Sequence, residues 1–122
     1  MARHMTYDVQ VSNPECLVDK RLLTWFMLNM VEAAKMKILA GPYVIEAGAR
    51  NPNPGLTGWT VLSTSHVSVH TFTRQQRVFI DLFSCVEYDP VPVHKIVART
   101  FAPATIKSME VHRDPMEMYE EE

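Results

Sequence analysis

The sequence lacks the features that mark several large classes of protein. Its 122 residues include only two cysteines, Cys16 and Cys85, which are too few for a disulfide framework and predict a cytoplasmic protein. No apolar run approaches the ~20 residues of a membrane span, and the first residues do not have the pattern of a secretory signal. A net charge of −2 argues against general binding to nucleic acids, which requires a basic face.

The composition that remains is that of an ordinary globular protein. Hydrophobic residues make up 47% and charged residues 21%, a balance that argues against intrinsic disorder. A chain of 122 residues has room for one hydrophobic core, so we expect residues 1–122 to form a single domain.

The spacing of apolar residues predicts an alternation of strands and helices. A period of two or a short apolar run predicts strands at 6–11, 43–46, 59–63, 66–72, 78–84 and 105–111. A helical period predicts helices at 18–36 and 93–101. Gly41-Pro42 opens the strand predicted at 43–46, and turn-forming residues predict a loop over 48–58. The acidic end at 116–122 is expected to fray.

This order of elements predicts an α+β fold. A helix follows the first strand and another precedes the last, as in a two-layer sandwich of an antiparallel sheet with two helices on one face. The other face of such a sheet needs cover, so we expect a homodimer.

Two short apolar strands carry most of the polar chemistry in the chain. They contain Ser65-His66-Val67-Ser68-Val69-His70-Thr71 and Ile80-Asp81-Leu82-Phe83-Ser84-Cys85. In the first, a period of two places His66, Ser68 and His70 on one face. From the residues alone, a serine beside histidines is a possible nucleophile and base. A metal site is not expected, because the two histidines lack a clear third ligand.

These segments resemble the small bacterial and archaeal S-adenosylmethionine decarboxylases. The first is similar to their processing-site motif, commonly Glu-Ser-His-(Leu/Val)-(Thr/Ser)-(Ile/Val)-His-Thr, and the second to their Ile-Asp-Leu-Phe-Thr-Cys segment at the same distance. Gly55-Leu56-Thr57-Gly58 stands where the family has Gly-Val-Ser-Gly. The order of strands and helices also fits over nearly the whole chain, so the chain is identified as a member of this family.

The resemblance implies a proenzyme that cuts its own chain. The Ser65 hydroxyl is expected to attack the Thr64 carbonyl and shift the peptide to an ester, and elimination then leaves a pyruvoyl group at position 65. The products are a β chain of residues 1–64 and an α chain of residues 65–122. A covalent pyruvoyl group derived from Ser65 takes the place of pyridoxal phosphate or a metal. It forms a Schiff base with a substrate amine and accepts electrons during decarboxylation.

The resemblance also assigns roles to individual residues. His70 matches the base used in processing, and Thr57 stands where the family has a serine that supports this step. Thr64 precedes the nucleophile and His66 follows it, and both are expected to support processing. Cys85 matches the proton donor of the reaction, although a strand thiol without that match would be interpreted as a small buried hydrophobe.

The sequence departs from the family pattern mainly where the nucleoside is expected to bind. Thr64 replaces the usual glutamate before the cleaved serine. Arg74 replaces the glutamate expected to bind the ribose hydroxyls, and it cannot accept hydrogen bonds. The loop 51–54 offers no aromatic residue to stack on adenine, which leaves Phe72 as one stacking surface. We therefore expect Phe72 and Arg74 to contact the substrate.

Three functions stay open at this point. The first is S-adenosylmethionine decarboxylase, which serves polyamine biosynthesis by making an aminopropyl donor. The second is the same pyruvoyl chemistry on ornithine or arginine, with Arg74 binding a carboxylate. The third is an unprocessed homologue without catalytic activity. The expected partners are a small amine substrate and a second cleaved protomer, with neither nucleic acid nor membrane.

Overall fold

Six strands form one antiparallel sheet in this computed structural model, which describes residues 2–48 and 50–113. The strands are β1 (Ala2–Val11), β2 (Ile38–Ala47), β3 (Gly55–Leu62), β4 (Ser65–Phe72), β5 (Arg77–Ser84) and β6 (Pro103–Arg113). The helices are α1 (Lys20–Ala33) and α2 (Pro90–Phe101), and a 3-10 turn spans Pro14–Leu17. The order across the sheet is β2-β3-β4-β5-β1-β6, with antiparallel pairing throughout.

Both helices pack on the same face of this sheet and form the core with it. Alternate strand residues point towards the helices because successive side chains of a strand lie on opposite faces. The buried strand residues of this core include Tyr7, Val9, Val67, Val69, Val78, Ile80 and Leu82. The helices contribute Leu23, Phe26, Met27, Met30, Val93, Val97 and Phe101. The predicted α+β sandwich with two helices on one face is confirmed.

The opposite face of the sheet, called the outer face below, carries the alternate strand residues. It is rich in large hydrophobic side chains, of which many are partly or largely exposed. They are Tyr43, Ile45, Trp59, Val61, Phe72, Phe79, Phe83, Met109 and Val111. An apolar surface of this extent is typical of a face that another protein surface covers.

The helix boundaries differ from the predicted ones because of their caps. The first helix begins at Lys20 rather than 18, since the Asp19 side chain accepts a hydrogen bond from the Leu22 N–H at 3.0 Å. The second begins at Pro90 rather than 93. Asp89 caps it by accepting from the Val91 N–H at 3.0 Å, and proline is well tolerated in the first turn.

The strands are longer than the sequence pattern indicated. β1 begins at Ala2 rather than 6 because its first residues pair with both β5 and β6. β2 extends over 38–47 and contains the cis Gly41–Pro42 bond within it, where its register with β3 shifts. β3 begins at Gly55, so the predicted loop ends at Pro54 rather than 58. The predicted frayed end at 116–122 lies outside the described residues.

Candidate active site

The proposed cleavage site lies at the start of β4, directly after the short connection from β3. Ser65 is buried and pairs with Ser84 of β5. The carbonyl oxygen of Thr64 accepts a hydrogen bond of 3.1 Å from the backbone N–H of Cys85. The Thr64 and Ser65 hydroxyl oxygens are 3.5 Å apart. The carbonyl next to the Ser65 hydroxyl is thus already held by an N–H donor, which is the arrangement that stabilises an oxyanion.

The sequence pattern identified the thiol of Cys85 but not its main-chain N–H. A backbone donor leaves no residue signature, and its position depends on the register between β4 and β5. The segment is fixed locally by Ser84, whose hydroxyl accepts a hydrogen bond of 3.0 Å from the Val86 N–H.

The two cysteines differ sharply in their surroundings. Cys85 is exposed directly after β5, whereas Cys16 is buried at the end of the 3-10 turn. The Cys16 thiol donates a hydrogen bond of 3.0 Å to the Asn13 carbonyl, and burial raises its pKa. Of the two thiols, that of Cys85 is therefore accessible to a substrate.

Thr57 and His70 face each other across β3 and β4 on the outer face. Thr57 Oγ1 and His70 Nδ1 are 3.1 Å apart, within hydrogen-bond distance. Strand β3 begins two residues before Thr57, at Gly55, where a Cβ atom would lie 1.9 Å from the Thr71 carbonyl oxygen. Only glycine permits this close approach, and the Thr71 hydroxyl then accepts a hydrogen bond of 2.8 Å from the Leu56 N–H.

The Thr57–His70 pair lies far from Ser65 within one chain. His70 follows Ser65 by five residues of extended strand, which corresponds to roughly 16 Å. The side chain of Ser65 is on the helix-facing side with Val67, whereas those of His66 and His70 are exposed on the outer face. The prediction that His66, Ser68 and His70 share a face is confirmed, but this face is not that of Ser65.

His66 takes part in a row of side chains across the outer face. Its ring centroid is 5.5 Å from that of Phe83, which lies 5.8 Å from the ring of His4 on β1. His4 Nε2 is 2.9 Å from Asp81 Oδ1, and the Arg113 guanidinium lies over the Phe83 ring at 4.8 Å. His66 therefore contacts an aromatic ring rather than the Ser65 hydroxyl. His4 and Asp81 were not predicted, because their pairing depends on the β1–β5 register.

The two residues expected to contact the substrate line different cavities. Phe72 packs on Phe79 with ring centroids 5.1 Å apart, in a cavity of about 190 Å³ on the outer face. Arg74 lines a cavity of about 320 Å³ together with Glu46 and Thr73, and its guanidinium donates a hydrogen bond of 3.2 Å to the Pro52 carbonyl. Phe72 and Arg74 thus line two different cavities.

Two further observations concern residues 2–48 and 50–113 as a whole. No group of three His, Cys, Asp or Glu side chains in these ranges is arranged to hold a metal ion. Neither helix there has the length and hydrophobicity needed to cross a membrane.

Fold and site together define a two-layer α+β protein with a buried serine at a strand start, next to a carbonyl held by a main-chain donor. A family model described as S-adenosylmethionine decarboxylase matches residues 3–114. A Methanococcus maripaludis protein named S-adenosylmethionine decarboxylase proenzyme is 33% identical over 124 residues, covering 98% of this chain and 95% of the relative. A Pyrobaculum arsenaticum protein of the same name is 26% identical over 123 residues, covering 99% and 92%.

A solved structure agrees with this match at the level of the fold. The crystal structure of the adenosylmethionine decarboxylase from Aquifex aeolicus superposes with a TM-score of 0.76 at 16% identity, covering 93% of this chain and 90% of that one. The chain belongs to the S-adenosylmethionine decarboxylase family, as its motifs predicted. It is thus a decarboxylase, a carboxy-lyase by reaction class.

Proposed function

We propose that this chain is a proenzyme that cuts itself between Thr64 and Ser65 and then decarboxylates S-adenosylmethionine. The observation that carries the proposal is the 3.1 Å hydrogen bond from the Cys85 N–H to the Thr64 carbonyl oxygen, beside the buried Ser65 hydroxyl. Residues 1–122 act as one unit, which maturation divides into chains of residues 1–64 and 65–122.

The first step of this maturation is an acyl shift from nitrogen to oxygen. Ser65 Oγ bonds to the Thr64 carbonyl carbon and gives its proton to a base, while the carbonyl electron pair moves onto the oxygen. The resulting oxyanion keeps the hydrogen bond from the Cys85 N–H, which strengthens as negative charge develops. The bond between this carbon and the Ser65 nitrogen then breaks, the nitrogen takes up a proton, and an ester remains.

The second step releases the upstream chain. Loss of the Ser65 α-proton breaks the Cβ–Oγ bond, so residues 1–64 leave with a terminal carboxylate and residue 65 becomes dehydroalanine. Its imine tautomer adds water and loses ammonia, which leaves the pyruvoyl group. Atoms and charge balance with one water consumed, and neither an oxidant nor a metal is needed.

The residues around position 65 suit such a group. A pyruvoyl ketone supplies an electron sink for decarboxylation of an amine substrate, the role that pyridoxal phosphate has in other enzymes. Cys85 begins the segment after the neighbouring strand and has an exposed thiol. We assign to its Sγ the proton that returns to the substrate carbon after carbon dioxide leaves.

We propose a homodimer from the distribution of the remaining residues. His70, proposed as the base of the processing step, and its neighbour Thr57 lie roughly 16 Å along β4 from Ser65. They are on the outer face, whose hydrophobic side chains suit burial against a second copy. We propose that the pair acts on the cleavage site of a second copy, and that His66 and Thr64 support it from the cut chain.

S-adenosylmethionine is the substrate best supported by the family match and by the names of the relatives. In the alternative on ornithine or arginine, Arg74 binds a substrate carboxylate. Its Nη1 donates to the Pro52 carbonyl, a contact that does not favour that alternative. Release of labelled carbon dioxide from the three substrates in parallel decides the question, and we expect release from S-adenosylmethionine alone. Release from ornithine or arginine instead would overturn the substrate assignment.

Intact mass measurement tests self-cleavage most simply. We expect wild-type protein to give two fragments, the one starting at position 65 carrying a pyruvoyl end, and Ser65→Ala to stay uncut. Ser68→Ala on the same strand is the matched control and is expected to cleave normally. A wild-type chain that stays whole after long incubation would support the unprocessed homologue, and two fragments from Ser65→Ala would refute the role of Ser65.

A further inference from the structure

Arg3, near the start of β1, contacts the segment that follows the neighbouring strand β5. Its Nη1 donates a hydrogen bond of 3.0 Å to the Tyr88 carbonyl, and its Nη2 lies 3.4 Å from Glu87 Oε1. Its guanidinium is 5.8 Å from the centre of the Tyr88 ring. A second acidic contact comes from β6, where Glu110 Oε2 is 3.4 Å from Arg3 Nε. Arg3 therefore ties β1 and β6 to residues 87 and 88.

The tied segment begins with the residue that holds the carbonyl proposed to be cut. Residues 85–89 leave β5 with Cys85, whose N–H contacts the Thr64 carbonyl. The same segment has a second anchor, because the buried Tyr88 hydroxyl donates a hydrogen bond of 2.9 Å to the Leu82 carbonyl. Segment 85–89 is thus held from both sides, directly after the β4–β5 register that directs the Cys85 N–H.

The chemistry of Arg3 suits positioning better than stability alone. Its planar guanidinium offers several donors in a fixed fork, so it can hold a carbonyl and a carboxylate at once. Its Nε is buried and lies 3.4 Å from Glu110 Oε2 as an ion pair, without the geometry of a hydrogen bond. One rigid group of Arg3 thus holds the carbonyl of residue 88 and the carboxylates of residues 87 and 110.

We propose that Arg3 is a positioning residue for self-cleavage, which holds segment 85–89 so that the Cys85 N–H stabilises the oxyanion on the Thr64 carbonyl. This inference rests on the proposed function. The step affected is the attack of Ser65 Oγ on the Thr64 carbon, with its proton passing to the base and the carbonyl electron pair moving onto oxygen. Arg3 contacts none of the reacting atoms and acts through the loop.

The test follows cleavage of freshly synthesised precursor over time by mass. We expect Arg3→Met to slow cleavage about tenfold to hundredfold, because a small displacement of a catalytic donor has an effect of that order. Arg3→Lys keeps the charge but not the fork and is expected to restore part of the rate. Arg99→Met, at an exposed position of α2, is the matched control and is expected to cleave at the wild-type rate.

Two further readouts separate positioning from a merely structural role. Thermal unfolding of each variant in a Ser65→Ala background shows whether the uncut chain is folded at the assay temperature. Hydroxylamine cleaves the ester intermediate and so measures how much ester is present. We expect the Arg3→Met precursor to contain no more ester than the wild-type precursor, because the slowed step is the one that forms the ester. Accumulated ester would place the defect in the elimination step and overturn the inference.

Cleavage of the wild-type chain tests the proposed function, and cleavage of Arg3→Met tests the role of Arg3. A wild-type chain that does not cleave refutes the proposed function itself. A wild-type chain that cleaves, with folded Arg3→Met cleaving equally fast, refutes only the role of Arg3. If Arg3→Met does not fold, the folded Arg3→Lys variant provides the test. Cleavage of Arg3→Lys at the wild-type rate overturns the role of Arg3, and slower cleavage of this variant without additional ester supports it.

Discussion

The two ends of strand β4 differ in how much of the candidate site they hold. At the Ser65 end, a buried hydroxyl lies next to a carbonyl that the Cys85 N–H already binds. At the other end, His70 is exposed on the outer face and has Thr57 as its hydrogen-bonding neighbour. One chain therefore contains the bond proposed to be cut and the N–H donor proposed to polarise it. The proposed base, His70, lies on a surface that faces away from both.

Loss of His70 is expected to have the largest effect on self-cleavage. We expect His70→Ala to slow self-cleavage by about 10²-fold or more, the usual contribution of a general base. Precursor and fragments are followed by mass over time. His66→Ala, which removes a ring packed on Phe83, is the comparison variant and is expected to have a smaller effect. Equal rates for wild type and His70→Ala would remove His70 from processing.

Replacement of Cys85 separates its two proposed roles. Cys85→Ala keeps the backbone N–H and loses the thiol, so we expect cleavage near the wild-type rate with decarboxylation per cut chain reduced about 10²-fold. Carbon dioxide release is normalised to the pyruvoyl ends counted by mass. Cys16→Ala is the control, since that thiol is buried and bonded to Asn13. Normal turnover by Cys85→Ala would exclude the thiol as proton donor.

A single substitution on the outer face tests the proposed contact with a second copy. Phe79 packs on Phe72 and is 37% exposed, so we expect it to contact the second copy. Phe79→Ala should weaken the dimer about tenfold, the effect of a moderately important interface residue. Sedimentation over a range of concentrations measures this. Val91→Ala, exposed on α2 on the opposite side, should leave association unchanged. A wild-type protein that is monomeric throughout would contradict the proposed dimer.

Sequence periodicity predicted the order of elements and the fold class, but not where several elements end. Alternation and helical spacing are local, so they indicated the core strands around Val67 and Ile80. The start of β1 at Ala2 depends on pairing with two distant strands. The irregular register of β2 around Gly41–Pro42 likewise depends on its partner β3.

The sequence predicted which residues belong to the candidate site better than it predicted how they are arranged. The motifs named Ser65, His70 and Cys85, and a period of two grouped the histidines on one face. The donor that contacts Thr64 is a backbone N–H, and its position is a product of strand register. The contacts of Arg3 join residues far apart in the sequence, and no local pattern indicates them.

Mixed dimers determine whether the cleavage site of one copy needs His70 of another. One copy carries His70→Ala with an intact Ser65, and the other, distinguished by a mass tag, carries Ser65→Ala with an intact His70. We predict that each copy alone stays largely uncut and that co-expression restores cleavage of the His70→Ala copy. A His70→Ala copy that stays uncut in a purified mixed dimer, beside a wild type that cleaves, would contradict the account.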